Sequence, residues 1–514
     1  MIKNLSINCS FLFLLGVISS FSLTPYNFFF INFFTFSFFF FFLFKELNKN
    51  LNKKICFFYG WLFGFGYFIS SLYWVSISLT FDPDFNFLIP FSIILIPAFL
   101  ALFYGLSSLL FVIIKPKTVL SAFFLFSLLL GTTEFVRGHI FTGFPWNLIV
   151  HSFSEKVLLI SIVSIIGTYS LNMIIISIFT LPVLFVIGNS KKIFFVFISF
   201  ILLTMIFLAY GVSYKKTFLE TDIKKNNIII RAVSSNISLD KFYNDNNPET
   251  IIEELIRISN PNINKKIFFI WPEGIIPNTY QDELNLYKNI FKDAFNENHI
   301  IGLGINKREN NRNGSNYFNS FSVYDNQLNL ISDYEKTKLV PFGEFLPFKK
   351  ILEKAGFRII TNKYDSYSTG KEKTLIKIQL DNSNLNILPL ICYEIIYPSL
   401  ISRNDNFDLI INISEDGWFG KSIGAKQHFT HAIFRALESG KYIIRSANNG
   451  IGAIINPLGI VEKKVNFGET GYVDFEKSRN IKAPFFSTIG DKIFGLFILL
   501  YIFLIISFNR FKNE

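Results

Sequence analysis

Residues 385–394 read Leu385-Asn-Ile-Leu-Pro-Leu-Ile-Cys392-Tyr-Glu394, an apolar run that stops at a thiol and a carboxylate. The run is far shorter than the roughly 20 apolar residues a helix needs to cross a bilayer, and its length suits a strand buried on both faces. Comparable runs stand at 227–233, 267–271, 300–305 and 409–413. Helical patterns alternate with several of them, at 249–259, 283–295 and 427–439, the last ending at Gly440 as a helix stop should. This alternation predicts an α/β domain with covered sheets.

Outward from that domain the composition changes. The 514 residues are 51% hydrophobic with a mean hydropathy of +0.39, too apolar for an ordinary soluble enzyme. Runs long enough to span a membrane lie at roughly 4–23, 27–44, 55–78, 87–114, 118–136, 157–188 and 192–211, with an eighth near 490–508. No small-x-small cleavage pattern follows the first run, so it is expected to remain as a span. The 66 phenylalanines reflect compositional bias more than chemistry.

The net charge of +11 does not point to nucleic acid once its placement is read. With the N-terminus inside, the inner loops carry Lys45, Lys49, Lys53, Lys54, Lys115, Lys117, Lys191 and Lys192, and the inner ends add Lys3, Arg510 and Lys512. The short outer loops carry only Arg137 and Lys156. Basic residues near spans stay cytoplasmic, so residues 212–489 are expected on the outer side. Trp74 and Trp146, near outer ends of spans, read as interface anchors.

Cys9 and Cys56 fall in or beside spans, which leaves Cys392 without a disulfide partner in the outer domain. It follows a predicted strand, where α/β sheets place ligand-binding groups; a small buried core residue is the plainer alternative. Glu273 ends another apolar run, and Lys336 precedes the Pro-containing segment 339–344. A thiol needs help to ionise: Glu273 would take the proton, and Lys336 would favour the thiolate and stabilise an oxyanion. Glu344 and Glu394 are further carboxylates able to orient Lys336 or shuttle a proton. Each charge taken singly reads more simply as a solvated surface group.

Together the motifs Trp271-Pro-Glu-Gly274, Tyr334-Glu-Lys-Thr-Lys-Leu-Val-Pro-Phe-Gly-Glu344 and Ile391-Cys-Tyr-Glu394 resemble the Glu-Lys-Cys signature of the nitrilase superfamily. With the membrane runs, the whole chain resembles its membrane-bound branch, the apolipoprotein N-acyltransferases. Thr142-Gly-Phe-Pro-Trp146, Tyr317-Phe-Asn-Ser320, Asp416-Gly-Trp-Phe-Gly420, Arg435-Ala-Leu-Glu438 and Asn448-Asn-Gly450 add to it. Two places depart from the family pattern. Ser234-Ser-Asn-Ile-Ser238 stands where Gln-x-Asn-Ile-Pro is common, followed by Phe242 or Tyr243 as the local aromatic, and Glu415 stands where an Asn is usual.

The resemblance implies an α-helical transmembrane bundle of about eight spans plus an α/β nitrilase-like αββα sandwich. The divisions expected are a membrane domain at 1–211, an extracytoplasmic catalytic domain at 212–489, and a last span with a short cytoplasmic tail at 490–514. It further implies Glu273 as base, Lys336 as oxyanion stabiliser and Cys392 as nucleophile, supported by Glu344, Tyr393, Glu394 and Asn319. The implied reaction moves a fatty acyl chain from a membrane phospholipid, phosphatidylethanolamine by analogy, through a cysteine thioester to a diacylglyceryl apolipoprotein. The setting would be the bacterial inner membrane, with a monomeric chain and neither metal, cofactor nor nucleic acid. The residues 342–350, with Phe342, Phe345, Leu346 and Phe348 beside Lys349 and Lys350, read either as a lid dipping toward lipid headgroups or as an ordinary packed loop. Competing readings are a membrane-tethered amidohydrolase that uses water, and a scaffold or transporter with a degenerate enzyme domain, which the scarcity of ionisable residues in the spans disfavours.

Overall fold

The computed structural model describes residues 2–47, 52–242, 247–311, 314–347, 366–371, 374–380, 383–401 and 406–510. Its first part is a bundle of apolar helices: α1 (Ile2–Ser20), α2 (Ile31–Leu47), α3 (Lys53–Leu72), α4 (Ile89–Ile114), α5 (Val119–Arg137), α6 (Val163–Thr180) and α7 (Lys191–Glu220). Among the described residues six stretches are long and apolar enough to cross a membrane: Lys53–Thr80, Pro83–Ile114, Val119–Arg137, Val163–Ile187, Lys191–Glu220 and Lys492–Arg510. The first two expected runs are also helical, as α1 and the 17-residue α2. Phenylalanines fill this bundle by offset and edge-to-face packing, with Phe39 stacked on Phe63 at 4.3 Å and Phe40 edge-on to Phe126 at 5.5 Å.

The run at 157–188, read as one span, is broken. A short helix Val157–Ile160 precedes α6, and Gly167 sits at φ 74°, ψ 166°, outside helical geometry. A Cβ there would lie 2.2 Å from the Phe486 ring, so only glycine fits the approach. The break removes a helical acceptor from the next amide, and Thr168 N–H donates instead to Glu438 Oε1 at 3.0 Å. Helix α7 runs beyond Gly211 to Glu220, and the first strand starts four residues later.

Among the described residues twelve strands form two six-stranded sheets. One has the order β12-β1-β2-β3-β4-β5, with β1 (Lys224–Ser234), β2 (Ile267–Ile270), β3 (His299–Asn311), β4 (Gly314–Asp325), β5 (Leu330–Glu335) and β12 (Gly471–Ser478). The other has the order β11-β10-β9-β8-β7-β6, with β6 (Ile376–Leu380), β7 (Ser383–Ile391), β8 (Leu409–Glu415), β9 (Ile443–Asn448), β10 (Gly452–Ile455) and β11 (Val461–Val465). Strands β1, β2 and β3 are mutually parallel, as are β7, β8 and β9. Parallel strands need both faces covered, and all seven residues of β8 are buried.

Ile230, Phe268 and Phe321 of one sheet and Ile387, Ile411 and Ile444 of the other share a single core between the sheets. Helices α8 (Pro248–Ser259) and α9 (Lys288–Ala294) cover the first sheet through Ile252, Leu255 and Phe291 packed on Phe269 and Trp271. The expected helix at 283–295 divides into a 3-10 turn, Leu284–Tyr287, and α9. Helix α10 (Gly424–Ser439) covers the second sheet and ends at Gly440, at φ 63°. Its other side meets the membrane bundle, so Phe434 and Leu437 belong to the same apolar cluster as the membrane helices.

That contact changes the reading of two tryptophans. Trp74 and Trp146 are 7% and 1% exposed, and both indole N–H groups donate to Gln427 Oε1 of α10, at 3.2 and 2.9 Å. They are not lipid-facing anchors; a buried indole needs an acceptor, and Gln427 supplies one to both. Arg137, expected in an outer loop, is the last residue of α5 and likewise internal: it lies 3.7 Å from Glu134 and donates to the Trp146 carbonyl at 3.0 Å.

Candidate active site

Three chain segments meet where strands of both sheets end. Glu273 follows β2 by three residues, and its turn passes close to β3: a Cβ on Gly304 would stand 2.4 Å from the Glu273 Cα. Glycine at 304 is therefore a steric requirement of this turn. Lys336 directly follows β5, with its N–H donating to the Asn319 carbonyl of β4 at 2.9 Å. Cys392 directly follows β7, at the first position of a 3-10 turn, with φ 47°. A left-handed backbone at a non-glycine residue costs of order 1–3 kcal/mol and persists only where its surroundings hold it.

The Lys336 ammonium, 1% exposed, lies 3.1 Å from Glu273 Oε1 and 2.9 Å from Glu344 Oε1. Asn319 Nδ2 donates to the same two oxygens, at 2.7 and 2.9 Å. The remaining oxygens accept backbone amides: Glu273 Oε2 from Glu415 N–H at 3.0 Å, and Glu344 Oε2 from Val340 N–H at 2.8 Å. Burial works against the charge on Lys336, but Glu273 and Glu344 outweigh it and hold the ammonium protonated well above the usual lysine range. Burial pushes the Cys392 thiol far up, and the charge of Glu273 adds to that, while Lys336 opposes it. The Cys392 thiol thus has both the Glu273 carboxylate and the Lys336 cation within electrostatic reach.

The other expected residues are placed differently. Glu394 is fully buried and does not meet the Lys336 ammonium. Its Oε1 accepts from Tyr334 OH, Thr337 N–H, Thr337 Oγ1 and Lys338 N–H, at 2.8, 2.8, 2.8 and 3.1 Å, and its Oε2 from Ile391 N–H at 2.8 Å. It ties the backbone after Lys336 to the turn that carries Cys392. Tyr393 points toward the membrane bundle and donates from its hydroxyl to the Gly143 carbonyl at 3.1 Å, as Tyr397 does at 2.9 Å. The carboxylate of Glu415, the departure from the family pattern, accepts from Gly417 N–H at 3.0 Å and Asn448 Nδ2 at 2.7 Å. Ser235 Oγ and Ile237 N–H reach the same Asn448 amide oxygen, at 2.7 and 3.0 Å.

Of the loop beside Lys336, Phe342 is exposed and Leu346 buried; Phe348, Lys349 and Lys350 lie outside the described residues, as do Tyr243 and the side chain of Phe242. Sequence reasoning did not single out Asp416, His428 and Arg445, which form a fully buried group behind Cys392. Arg445 Nη2 lies 2.9 Å from Asp416 Oδ2, and His428 lies 3.0 Å from Asp416 Oδ1. Burial raises the Asp416 carboxyl but Arg445 overrides it, leaving the group well below the usual carboxylate range. The available signal was its place in the quoted run 416–420.

Residues 15–181 match the description Apolipoprotein N-acyltransferase N-terminal domain, and residues 259–479 match Carbon-nitrogen hydrolase. An apolipoprotein N-acyltransferase from Rickettsia typhi is 32% identical over 93% of this chain and 94% of its own length. The chain belongs to the apolipoprotein N-acyltransferase family. A second member, from Rhodopseudomonas palustris, is 28% identical over 97% of this chain and 94% of its own. Among solved structures, a Nesterenkonia AN1 amidase of the nitrilase superfamily covers 50% of this chain and 93% of its own, with 11% identity and a TM-score of 0.34. Membership accounts for both parts of the molecule: the match to the family's N-terminal domain covers most of the helical bundle, and the carbon-nitrogen hydrolase match covers most of the sandwich.

Proposed function

We propose that this protein transfers a fatty acyl chain from a membrane phospholipid, through a thioester on Cys392, to the N-terminal amine of a diacylglyceryl-cysteine on an apolipoprotein. The observation that carries the reading is the shared site of Glu273, Lys336 and Cys392, built on a domain whose α10 packs directly into a bundle of membrane-spanning length. Both substrates carry acyl chains that are costly to lift into water, at about 0.8 kcal/mol per CH₂. A catalytic domain seated on the bundle lets them react without leaving the bilayer.

In the first half-reaction Glu273 takes the thiol proton, and the sulfur attacks the ester carbonyl carbon. Lys336 stabilises the resulting oxyanion, a contribution worth about 10²–10³ in rate for one donor. Collapse breaks the acyl C–O bond; the lysophospholipid alkoxide leaves with the proton from Glu273. In the second, the acceptor amine attacks the thioester carbonyl, Glu273 removes the amine proton, and the thiolate departs as the amide forms. Asn319 and Glu344 hold Glu273 and Lys336 in register for both steps.

Residues 1–211 form the membrane domain in this reading, 212–489 the catalytic domain and 490–514 the closing span. The protein resides in the bacterial inner membrane, with both termini in the cytoplasm and the site on the periplasmic side, an orientation supported by the distribution of lysines. Intact-mass analysis after mixing with phospholipid tests the reaction: the parent gains one hydroxylamine-labile acyl mass and Cys392→Ser gains none. Added diacylated lipopeptide then becomes triacylated. Release of free fatty acid alone would make the protein a hydrolase.

A further inference from the structure

The backbone of Cys392 is strained, and one side chain outside the catalytic group reaches it. His428 Nε2 lies 3.2 Å from the Cys392 carbonyl oxygen. A carbonyl oxygen only accepts, so the proton of this contact belongs to Nε2. The opposite nitrogen, Nδ1, lies 3.0 Å from Asp416 Oδ1 and 3.1 Å from Arg445 Nη2. The ring is fully buried and lies nearly parallel to Trp146, at 5.5 Å and 13°, with Phe419 at 5.4 Å on its periphery. Asp416 is itself fixed by Arg445 and by Ser414 Oγ at 2.8 Å. Every degree of freedom of the imidazole is thus taken up before it meets the nucleophile.

We infer that His428 is a positioning residue for the nucleophile: its Nε2–H holds the Cys392 carbonyl and so maintains the left-handed backbone that aims the thiol. The inference rests on the acyl-transfer reading above. The Cys392 carbonyl and the Tyr393 N–H belong to one planar peptide unit, so pinning the first fixes the second. The strand before Cys392 and the Glu394 carboxylate on Ile391 N–H hold the entering chain; His428 holds the peptide just after the strained Cα. It also links the nucleophile to the bundle, because the ring stacks on Trp146, whose indole N–H is bound by Gln427, the residue before His428.

Two substitutions separate this role from a merely structural one. In His428→Gln the amide nitrogen sits as many bonds from Cα as Nε2 does and can still donate to the Cys392 carbonyl. In His428→Asn the amide reaches only the position of Nδ1, next to Asp416. Single-turnover acylation of Cys392 by phosphatidylethanolamine is expected within about fivefold of the parent for His428→Gln. It should fall by about 100-fold for His428→Asn, with KM unchanged, the loss a misplacement near 1 Å brings. Alkylation of Cys392 by iodoacetamide, which needs no acyl donor, should follow the same order. A parent that is alkylated but never acylated would sink the acyl-transfer reading while leaving the Gln-over-Asn order to decide the role of His428. Equal rates in the two variants, Asn faster than Gln, or failure of both to fold would overturn the assignment, since each would make the ring a partner of Asp416 or a space-filler only.

Discussion

The ammonium of Lys336 lies 3.1 Å from the Glu273 carboxylate across 63 residues of sequence, and Asn319 donates to the same carboxylate oxygen at 2.7 Å. One buried cation therefore serves two buried carboxylates, Glu273 and Glu344, and its removal leaves both without a counter-charge.

Lys336→Met is expected to abolish thioester formation, with a loss of at least about 10²–10³ in the single-turnover acylation rate. The same change removes the positive charge that favours the thiolate, so Cys392 alkylation should require still higher pH than in the parent. A pH series of iodoacetamide labelling followed by intact mass reads both. Unchanged acylation would exclude Lys336 from oxyanion stabilisation.

Glu273→Gln should move two rates in opposite directions. The charge on Glu273 raises the Cys392 thiol, so its loss lowers that pKa and enlarges the thiolate fraction at a given pH; alkylation near pH 8 should speed up. Acyl transfer should slow by about 10²–10⁴ as the proton acceptor disappears. Transfer that stays at the parent rate would reassign the base.

Glu394→Gln is expected to act on the fold before the chemistry. Its carboxylate accepts five hydrogen bonds from Tyr334, Thr337, Lys338 and Ile391, and the new amide NH₂ would face donors with a donor. A stability loss of about 3 kcal/mol follows from leaving such groups unsatisfied. Thermal unfolding in detergent measures it, and an unshifted Tm would contradict the structural role.

Arg445→Met leaves Asp416 buried beside His428 without its main counter-charge, a change costing about 3–5 kcal/mol. In the parent the folded-state pKa of Asp416 is depressed, so its contribution is present above the unfolded value, about 3.9, and is lost as pH falls through and below it. The difference in Tm between parent and variant should therefore be largest near neutrality and shrink toward acid pH. A pH-independent difference would assign the loss to packing.

The helices and several strands were legible because their signals are local. Apolar length marked the membrane-spanning runs, and the strand signal of residues 385–391 stands in β7, which pairs in parallel with β8 and stops at Ile391, just before Cys392. Glu273, Lys336 and Cys392 were identifiable only together, through the motifs at 271–274, 334–344 and 391–394, because each taken singly has a plainer structural reading. Glycine at 167 was not legible as a helix break, since the reason for it is the Phe486 ring, more than 300 residues away.

By itself, the sequence determined a membrane-embedded bundle, an α/β domain and the candidate reactive residues, since length, polarity and residue chemistry are properties of the chain. Only the tertiary structure decided which of the four supporting residues join the buried pair of Lys336 and Glu273. Asn319 and Glu344 do, whereas Glu394 braces backbone and Tyr393 faces the bundle. It also decided that Trp74 and Trp146 dock α10 and that His428 reaches the Cys392 carbonyl. These are contacts between distant segments, set by how two sheets and a helical bundle pack, and a side chain's partner across such a packing has no signature in its own neighbourhood of the chain.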